Sequence, residues 1–223
     1  MMNSTISGRD TMDNNAKWVN DMKIERVMKN LQANNMQAHY VKNQEELLAT
    51  VKSLMSEGET VSVGGSATLF ETGVIDFLRN GKYDFLDRHV ELTPEERKAL
   101  YRNCFSADTY ITSTNAITEN GELYNVDGSG NRVAAMIYGP DQVIVITGVN
   151  KIVKDEAAAI DRYRRIAAPA NAKRLNRNTP CAKLGYCTQC DSPEHICSAH
   201  VMIRRQFNSD RIKVIIIDGN YGY

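Results

Sequence analysis

TSTNAITENGELYNVDGSGNRVAAMIYGPDQVIVITGVNK, Thr112 to Lys151, alternates short apolar runs with clusters of turn-forming residues. Val143-Ile144-Val145-Ile146 is an unbroken β-branched run, the pattern of a strand buried on both faces of a parallel sheet. Tyr110-Ile111, just upstream, predicts the end of another strand. Glu119-Asn120-Gly121 predicts a tight turn, because Asn and Gly tolerate positive φ, and Leu123, Tyr124 and Val126 predict a short return strand. Asp127-Gly128-Ser129-Gly130-Asn131 is a second turn ahead of the apolar run Val133 to Tyr138, which Gly139-Pro140-Asp141 breaks. Ligands of open α/β sheets bind beyond the carboxyl ends of the strands. Two such ends carry Thr112-Ser113-Thr114-Asn115 and Gly148-Val149-Asn150-Lys151. They read as two walls of one site.

Toward the N-terminus, residues 1–13 read as a disordered leader. Trp18, Val19, Met22, Ile24, Val27, Met28 and Leu31 then recur at helical spacing, and Asn34-Asn35 ends that helix. Met36, Ala38 and Tyr40 alternate as a strand does. Asn43 is placed to cap a second helix with the buried stripe Leu47, Leu48, Val51 and Leu54, ended by Gly58. Thr60-Val61-Ser62-Val63 predicts a strand that runs into Gly64-Gly65-Ser66-Ala67-Thr68, followed by one helix carrying Leu69 to Leu78. Glycines and a hydroxyl between strand and helix make a candidate anion cradle, since backbone N–H groups and the helix dipole point at the turn. The loop is neither a Walker loop nor GxGxxG. The plainer reading is a tight turn with Ser66 or Thr68 as cap. Tyr83, Phe85 and Leu86 suggest a strand, and Thr93-Pro94-Glu95-Glu96 is a capping box opening a helix through Leu100. Cys104, alone near its end, reads as a buried inert thiol.

Toward the C-terminus, Asp155 to Ile166 reads as helix, interrupted at Ala168-Pro169 and resumed over residues 170–175. Arg162, Arg164, Arg165, Lys173, Arg174 and Arg177 make this region basic, either as a solvated face or as a surface for an acidic partner or an anionic substrate. Val201 to Arg204 and Ile212 to Ile217 predict two final strands, the second fully apolar and so in the core.

The chain has 223 residues, with 27 basic and 27 acidic side chains. That length suffices for one α/β domain with a sizeable core, here residues 14–223. The zero net charge argues against a broad nucleic-acid surface. The polar N-terminus lacks the apolar core of a signal peptide, and no apolar run approaches membrane-spanning length, so a soluble cytoplasmic protein is expected.

Cys181, Cys187, Cys190 and Cys197 are spaced C-x5-C-x2-C-x6-C over residues 180–198, and Pro180, Gly185, Asp191, Ser192 and Pro193 among them mark the segment as a loop. In a cytoplasmic protein such density favours a metal over disulfides, and four thiolates on one ion can fold a loop with little core of its own. The spacing departs from the bacterial ferredoxin run. Structural zinc tolerates irregular spacing, so zinc and an iron–sulfur cluster both stay open. His195 and His200 are reserve ligands.

Asn115-Ala116-Ile117-Thr118, the turn Asp127 to Arg132 and Gly148-Val149-Asn150-Lys151 together resemble the LUD family, named for lactate utilisation. The resemblance runs from about the first helix to the C-terminus. It implies a fold similar to ribose-5-phosphate isomerase, glucosamine-6-phosphate deaminase and the CoA transferases, with a mainly parallel sheet and helices on both faces. It also implies a bacterial role in oxidising lactate alongside iron–sulfur partner subunits, but no catalytic residues. The expected ligand is a small anion: a lactate-like carboxylate, a phosphosugar or a CoA ester. The expected binding residues are Gly64, Gly65, Ser66, Thr68, Thr114, Asn115, Asp127, Gly128, Asn131, Arg132, Asn150 and Lys151. Among these, Arg132 would grip a carboxylate bidentately, Lys151 would add charge, and Asp127 would cap a turn or act as a base. A Cys₄ cluster would accept or pass electrons; no flavin or nicotinamide fingerprint is visible, so the acceptor in any oxidation must be that cluster or lie on another chain. Two alternatives stand beside this. One is an isomerase or transferase with structural zinc, for which Glu71, Glu119 and Asp127 are the nearby candidate carboxylates. The other is a non-enzymatic sensing or scaffold subunit docked through the basic region from Arg162 to Arg177.

Overall fold

The structure, a computed structural model, describes residues 13–223. Apart from Asp13, the expected leader lies outside the described residues. Asp13 caps the first helix, α1 (Asn14–Ala33), by accepting from the Asn15 and Ala16 amides. The chain continues through β1 (Gln37–Val41), α2 (Gln44–Ser53), β2 (Thr60–Val63), α3 (Ala67–Glu71), α4 (Val74–Asn80), β3 (Asp84–Leu86) and α5 (Pro94–Asn103). Then come β4 (Thr109–Thr112), β5 (Ala116–Thr118), β6 (Leu123–Asp127), α6 (Asn131–Tyr138), β7 (Gln142–Gly148) and β8 (Ile152–Val153). The last elements are α7 (Glu156–Arg162), α8 (Ala168–Arg174), α9 (Pro180–Leu184), β9 (Ala199–Ile203) and β10 (Ile212–Ile217).

Six strands form one sheet in the order β1-β10-β7-β4-β2-β3, with every pairing parallel. The two apolar runs singled out in the sequence, β7 and β10, lie side by side near its centre, Val145 opposite Val214. Their side chains alternate between two cores. Val143, Val145, Val214 and Ile216 pack with Ile24, Val27 and Leu31 of α1 and Met136 of α6. Ile144, Ile146, Ile215 and Ile217 pack with Leu47 and Val51 of α2, Leu69 of α3 and Ile75 and Leu78 of α4. Each such side chain, fully buried, contributes roughly 1.5–3 kcal/mol. Helices on both faces of a parallel sheet make this an α/β fold, as the β-branched runs predict.

A second sheet, β8-β5-β6-β9, is mostly antiparallel and was not foreseen. Its Ala116, Tyr124 and Val126 pack on Ala159, Tyr163, Ala167 and Ala168, which form a third core. The β5–β6 turn presses on α1 so closely that a Cβ on Gly121 would sit 2.6 Å from the Asn30 carbonyl carbon. That approach, together with φ +75°, requires glycine there.

Two helix expectations need correction. The helix expected over Leu69 to Leu78 is two, α3 and α4, because Gly73 adopts a left-handed conformation (φ 71°) between them. Pro169 does not interrupt its helix. A π-helical turn over Tyr163–Ala167 joins α7 to α8, and Pro169 falls at the start of α8, where its missing N–H costs little. The cysteine segment is also not all loop, since Thr179 caps α9.

Candidate functional site

Because the large sheet is parallel, β2, β4, β7 and β10 all deliver their carboxyl ends to one edge. A pocket of about 310 Å³ opens there. Gly65, Ser66 and Thr68 line it after β2, Ser113, Thr114 and Asn115 after β4, and Lys151 after β7. The turn after β6 adds Asp127, Gly128, Asn131 and Arg132. Most of the expected binding residues therefore meet around one cavity. Gly64 and Asn150 do not line it. A Cβ on Gly64 would lie 2.4 Å from Thr112 Oγ1, so this glycine lets β2 pass close under the floor. Asn150 is turned to the C-terminal segment, where its side chain donates to the Gly222 carbonyl (3.2 Å) and accepts from the Tyr221 amide (3.3 Å).

Arg132 is buried, and its guanidinium is held from inside the protein. It donates to the Ser113 and Val126 carbonyls (both 3.0 Å) and to the side-chain oxygens of Asn125 (2.7 Å) and Asn115 (3.2 Å). The fork expected for a ligand carboxylate thus ties β4, β6 and α6 together. Asp127 accepts from the Arg132 and Val133 amides at 2.9 and 3.2 Å, so of its two expected roles it takes the cap. Thr114 Oγ1 lies 2.9 Å from both the Ala116 and the Tyr124 carbonyl oxygens, a local bond. The other candidate carboxylates are engaged as well. Glu71 accepts from the Gly222 amide (2.6 Å), and Glu119 pairs with Arg26 (2.8 Å) away from the pocket.

Lys151 is 2 % exposed. Its Nζ donates to Thr68 Oγ1 (2.8 Å) and Ser113 Oγ (3.1 Å) and, among the described residues, pairs with no carboxylate. Burial, reinforced by the positive charges of Arg162 and Arg132, pulls its pKa down to about 7. Arg162 faces inward too, donating to the Asn115 (2.6 Å) and Asn150 (3.2 Å) carbonyls, and burial lowers its pKa to about 10. The basic run is therefore split. Arg162 is structural, Arg164 and Arg165 are exposed, and Arg174 and Arg177 stand at the pocket rim.

Sequence reasoning missed Arg88, Tyr101 and Tyr223 in the wall. Arg88 donates to the Tyr101 hydroxyl (2.6 Å), with its guanidinium 4.7 Å from the centre of that ring. No local motif marks these residues, because they arrive from separate segments. Among the described residues, Arg88, Arg132, Lys151, Arg174 and Arg177 line the cavity with one acidic side chain, Asp127.

The cysteines gather beside this pocket without forming a centre. Ile196 reaches the wall, and its Cα lies 3.3 Å from where a Cβ on Gly128 would stand. Burial and the other three cysteines together push the Cys197 thiol pKa up, so the four share one neighbourhood. All are free thiols. Among the described residues, however, no three His, Cys, Asp or Glu side chains converge as a group able to hold a metal ion. Cys181 is fixed on α9 with its sulfur 3.2 Å from Thr179 Oγ1, while the Cys187 amide is tied to the Arg164 carbonyl (2.8 Å). The donor chemistry suits zinc or an iron–sulfur cluster, but the arrangement does not fit either as it stands. His195 bonds to Ser192 and Ser198, and His200 to the Tyr124 hydroxyl (2.7 Å). Cys104 is buried, with its pKa raised by that burial, in line with an inert thiol.

Among the described residues no helix is long and apolar enough to cross a membrane. No curated protein matches the sequence. Among solved structures, the chain is similar to a DUF162 family protein from Deinococcus radiodurans, at 14% identity and TM-score 0.49 over 90% of this chain and 98% of that one. It is similar to eIF2B beta from Chaetomium thermophilum at 16% identity and TM-score 0.37, covering 53% of this chain and 42% of the other. A Pseudomonas malonate decarboxylase hetero-tetramer, solved with malonate, matches at 15% identity and TM-score 0.36 over 81% of this chain and 39% of that chain. The sequence profile described as the LUD domain matches residues 24–217, from the middle of α1 to the end of β10 and across every strand that borders the pocket, and the chain belongs to that family.

Proposed function

We propose that this protein binds a small organic anion in the pocket at the carboxyl edge of its parallel sheet, as a LUD-type component of lactate or related organic-acid utilisation. The observation that carries this reading is the lining of the cavity by Arg88, Arg174 and Arg177 with one acidic side chain, Asp127, which is itself occupied as a helix cap. Arg88, Arg174 and Arg177 supply charge at the wall and rim, and planar guanidinium groups suit carboxylate or phosphate oxygens. Ser66 and Thr68 offer neutral donors. Arg132 holds the floor rather than the ligand, as its bonds within the protein require. Calorimetric titration with L-lactate, oxalate and inorganic phosphate tests the reading. Saturable binding that weakens with salt supports it, and no heat from any of the three rejects it.

A second reading keeps Cys181, Cys187, Cys190 and Cys197 as ligands of an iron–sulfur cluster that passes electrons to partner subunits, or of a structural zinc. The shared neighbourhood of the four thiols favours it. Because the donors are not drawn together, no step of the anion-binding function runs through a metal. Assay of iron, sulfide and zinc in protein purified without oxygen decides between the two metals and rejects both if none is stoichiometric.

A further inference from the structure

We infer that Lys151 is a nucleophilic amine that forms an imine with an aldehyde or ketone carrying a carboxylate or a phosphate. This deepens the anion-binding reading and rests on it. A lysine buried in a protein interior ordinarily meets a carboxylate, whereas Lys151 meets two hydroxyls. Those hydroxyls have acceptors of their own: Thr68 donates to the Tyr221 carbonyl (3.3 Å), and Ser113 donates to the Thr114 carbonyl (3.4 Å). Each hydroxyl is thus free to accept an N–H from Nζ. A neutral amine has two N–H groups and one lone pair, so two acceptors account for its hydrogens and leave the lone pair over.

The charged groups acting on Nζ are Arg162, Arg132 and, in the opposite sense, Glu71. Glu71 already accepts from the Gly222 amide. With burial dominant and cations outweighing the one acid, the amine is substantially deprotonated at neutral pH. Lys151 lines the same cavity as Arg88 and Arg174, as do Thr68 and Ser113, the residues that its Nζ bonds, so an anion held by those arginines shares one enclosure with the amine's residue. The step balances without a further reagent. The amine lone pair attacks the carbonyl carbon, the C–N bond forms, and the carbonyl oxygen leaves as water with the two amine hydrogens.

Trapping tests this directly. The whole protein is incubated with pyruvate or with glyceraldehyde 3-phosphate, reduced with borohydride, digested and mapped by mass spectrometry. One adduct per chain on Lys151, absent in Lys151→Arg, is expected. The arm that reacts identifies carboxylate or phosphate as the anchoring group. Oxalate or phosphate binding without any Lys151 adduct overturns the imine but leaves the anion reading intact. Absence of all anion binding removes the reading itself. A second measurement needs no variant: the rate of Lys151 acylation by acetic anhydride against pH. A midpoint near neutrality, with surface lysines still rising toward pH 10, is expected. A Lys151 profile like theirs, or no labelling at any pH, overturns the proposal.

Discussion

The pocket and the cysteine segment lie side by side, yet they are built in opposite ways. The pocket grows out of the ends of core strands, and its floor is a closed set of hydrogen bonds centred on Arg132. The cysteine segment hangs between α8 and β9 on one short helix and a few backbone bonds, with Cys187, Cys190 and Cys197 partly exposed. Pre-organised polar groups bind at once, because the fold has already ordered them. Thiols without a shared focus need an ion or an oxidant to order them, and the cost of that ordering falls on the binding step.

The largest effect that would sharpen this contrast is Arg132→Ala. It removes a buried cation and strands four acceptors, so a loss of about 3–5 kcal/mol is expected in urea unfolding. A loss below about 1 kcal/mol would mean that the floor is not held from Arg132. Lys151→Met should act in the other direction. The folded-state pKa of Lys151, about 7, lies below its ordinary 10.5, so the unfolded chain holds that proton more tightly. The penalty is full below about pH 7 and fades as pH rises toward 10.5. The variant should therefore gain roughly 2–4 kcal/mol at pH 7, with the gap narrowing by pH 9.5. A pH-independent gap would break the account of Lys151 as a buried amine with a lowered pKa.

Arg88→Ala should weaken oxalate or phosphate binding about tenfold with little change in Tm, since Arg88 contributes charge to the wall without supporting the core. Unchanged affinity would move the anion elsewhere. The smallest effect is expected at the cysteines. In reduced protein, Cys187→Ser with Cys190→Ser should change stability by less than about 0.5 kcal/mol. A loss of several kcal/mol, recovered in the parent by added zinc or iron, would show the segment to be clamped by metal and would erase the contrast.

The sequence by itself determined the sheet. Alternation on opposite faces of β7 and β10 depends only on residue type and a period of two, and both are local. It also located most of the pocket, because the residues after β2, β4 and β7 are contiguous with the strands that deliver them. Tertiary structure decided what those residues do. Arg132 turned inward because four acceptors from β4, β6 and their flanking turns surround it, and no local pattern specifies that convergence. Arg88, Arg174 and Tyr223 became wall residues only when three distant segments met at one edge. The state of Lys151 was likewise invisible in the chain, since a proton's affinity depends on burial and on neighbours in space. The cysteine spacing names four candidate donors, but spacing does not fix where sulfur atoms point, and among the described residues no three of the His, Cys, Asp or Glu side chains converge as a metal-holding group.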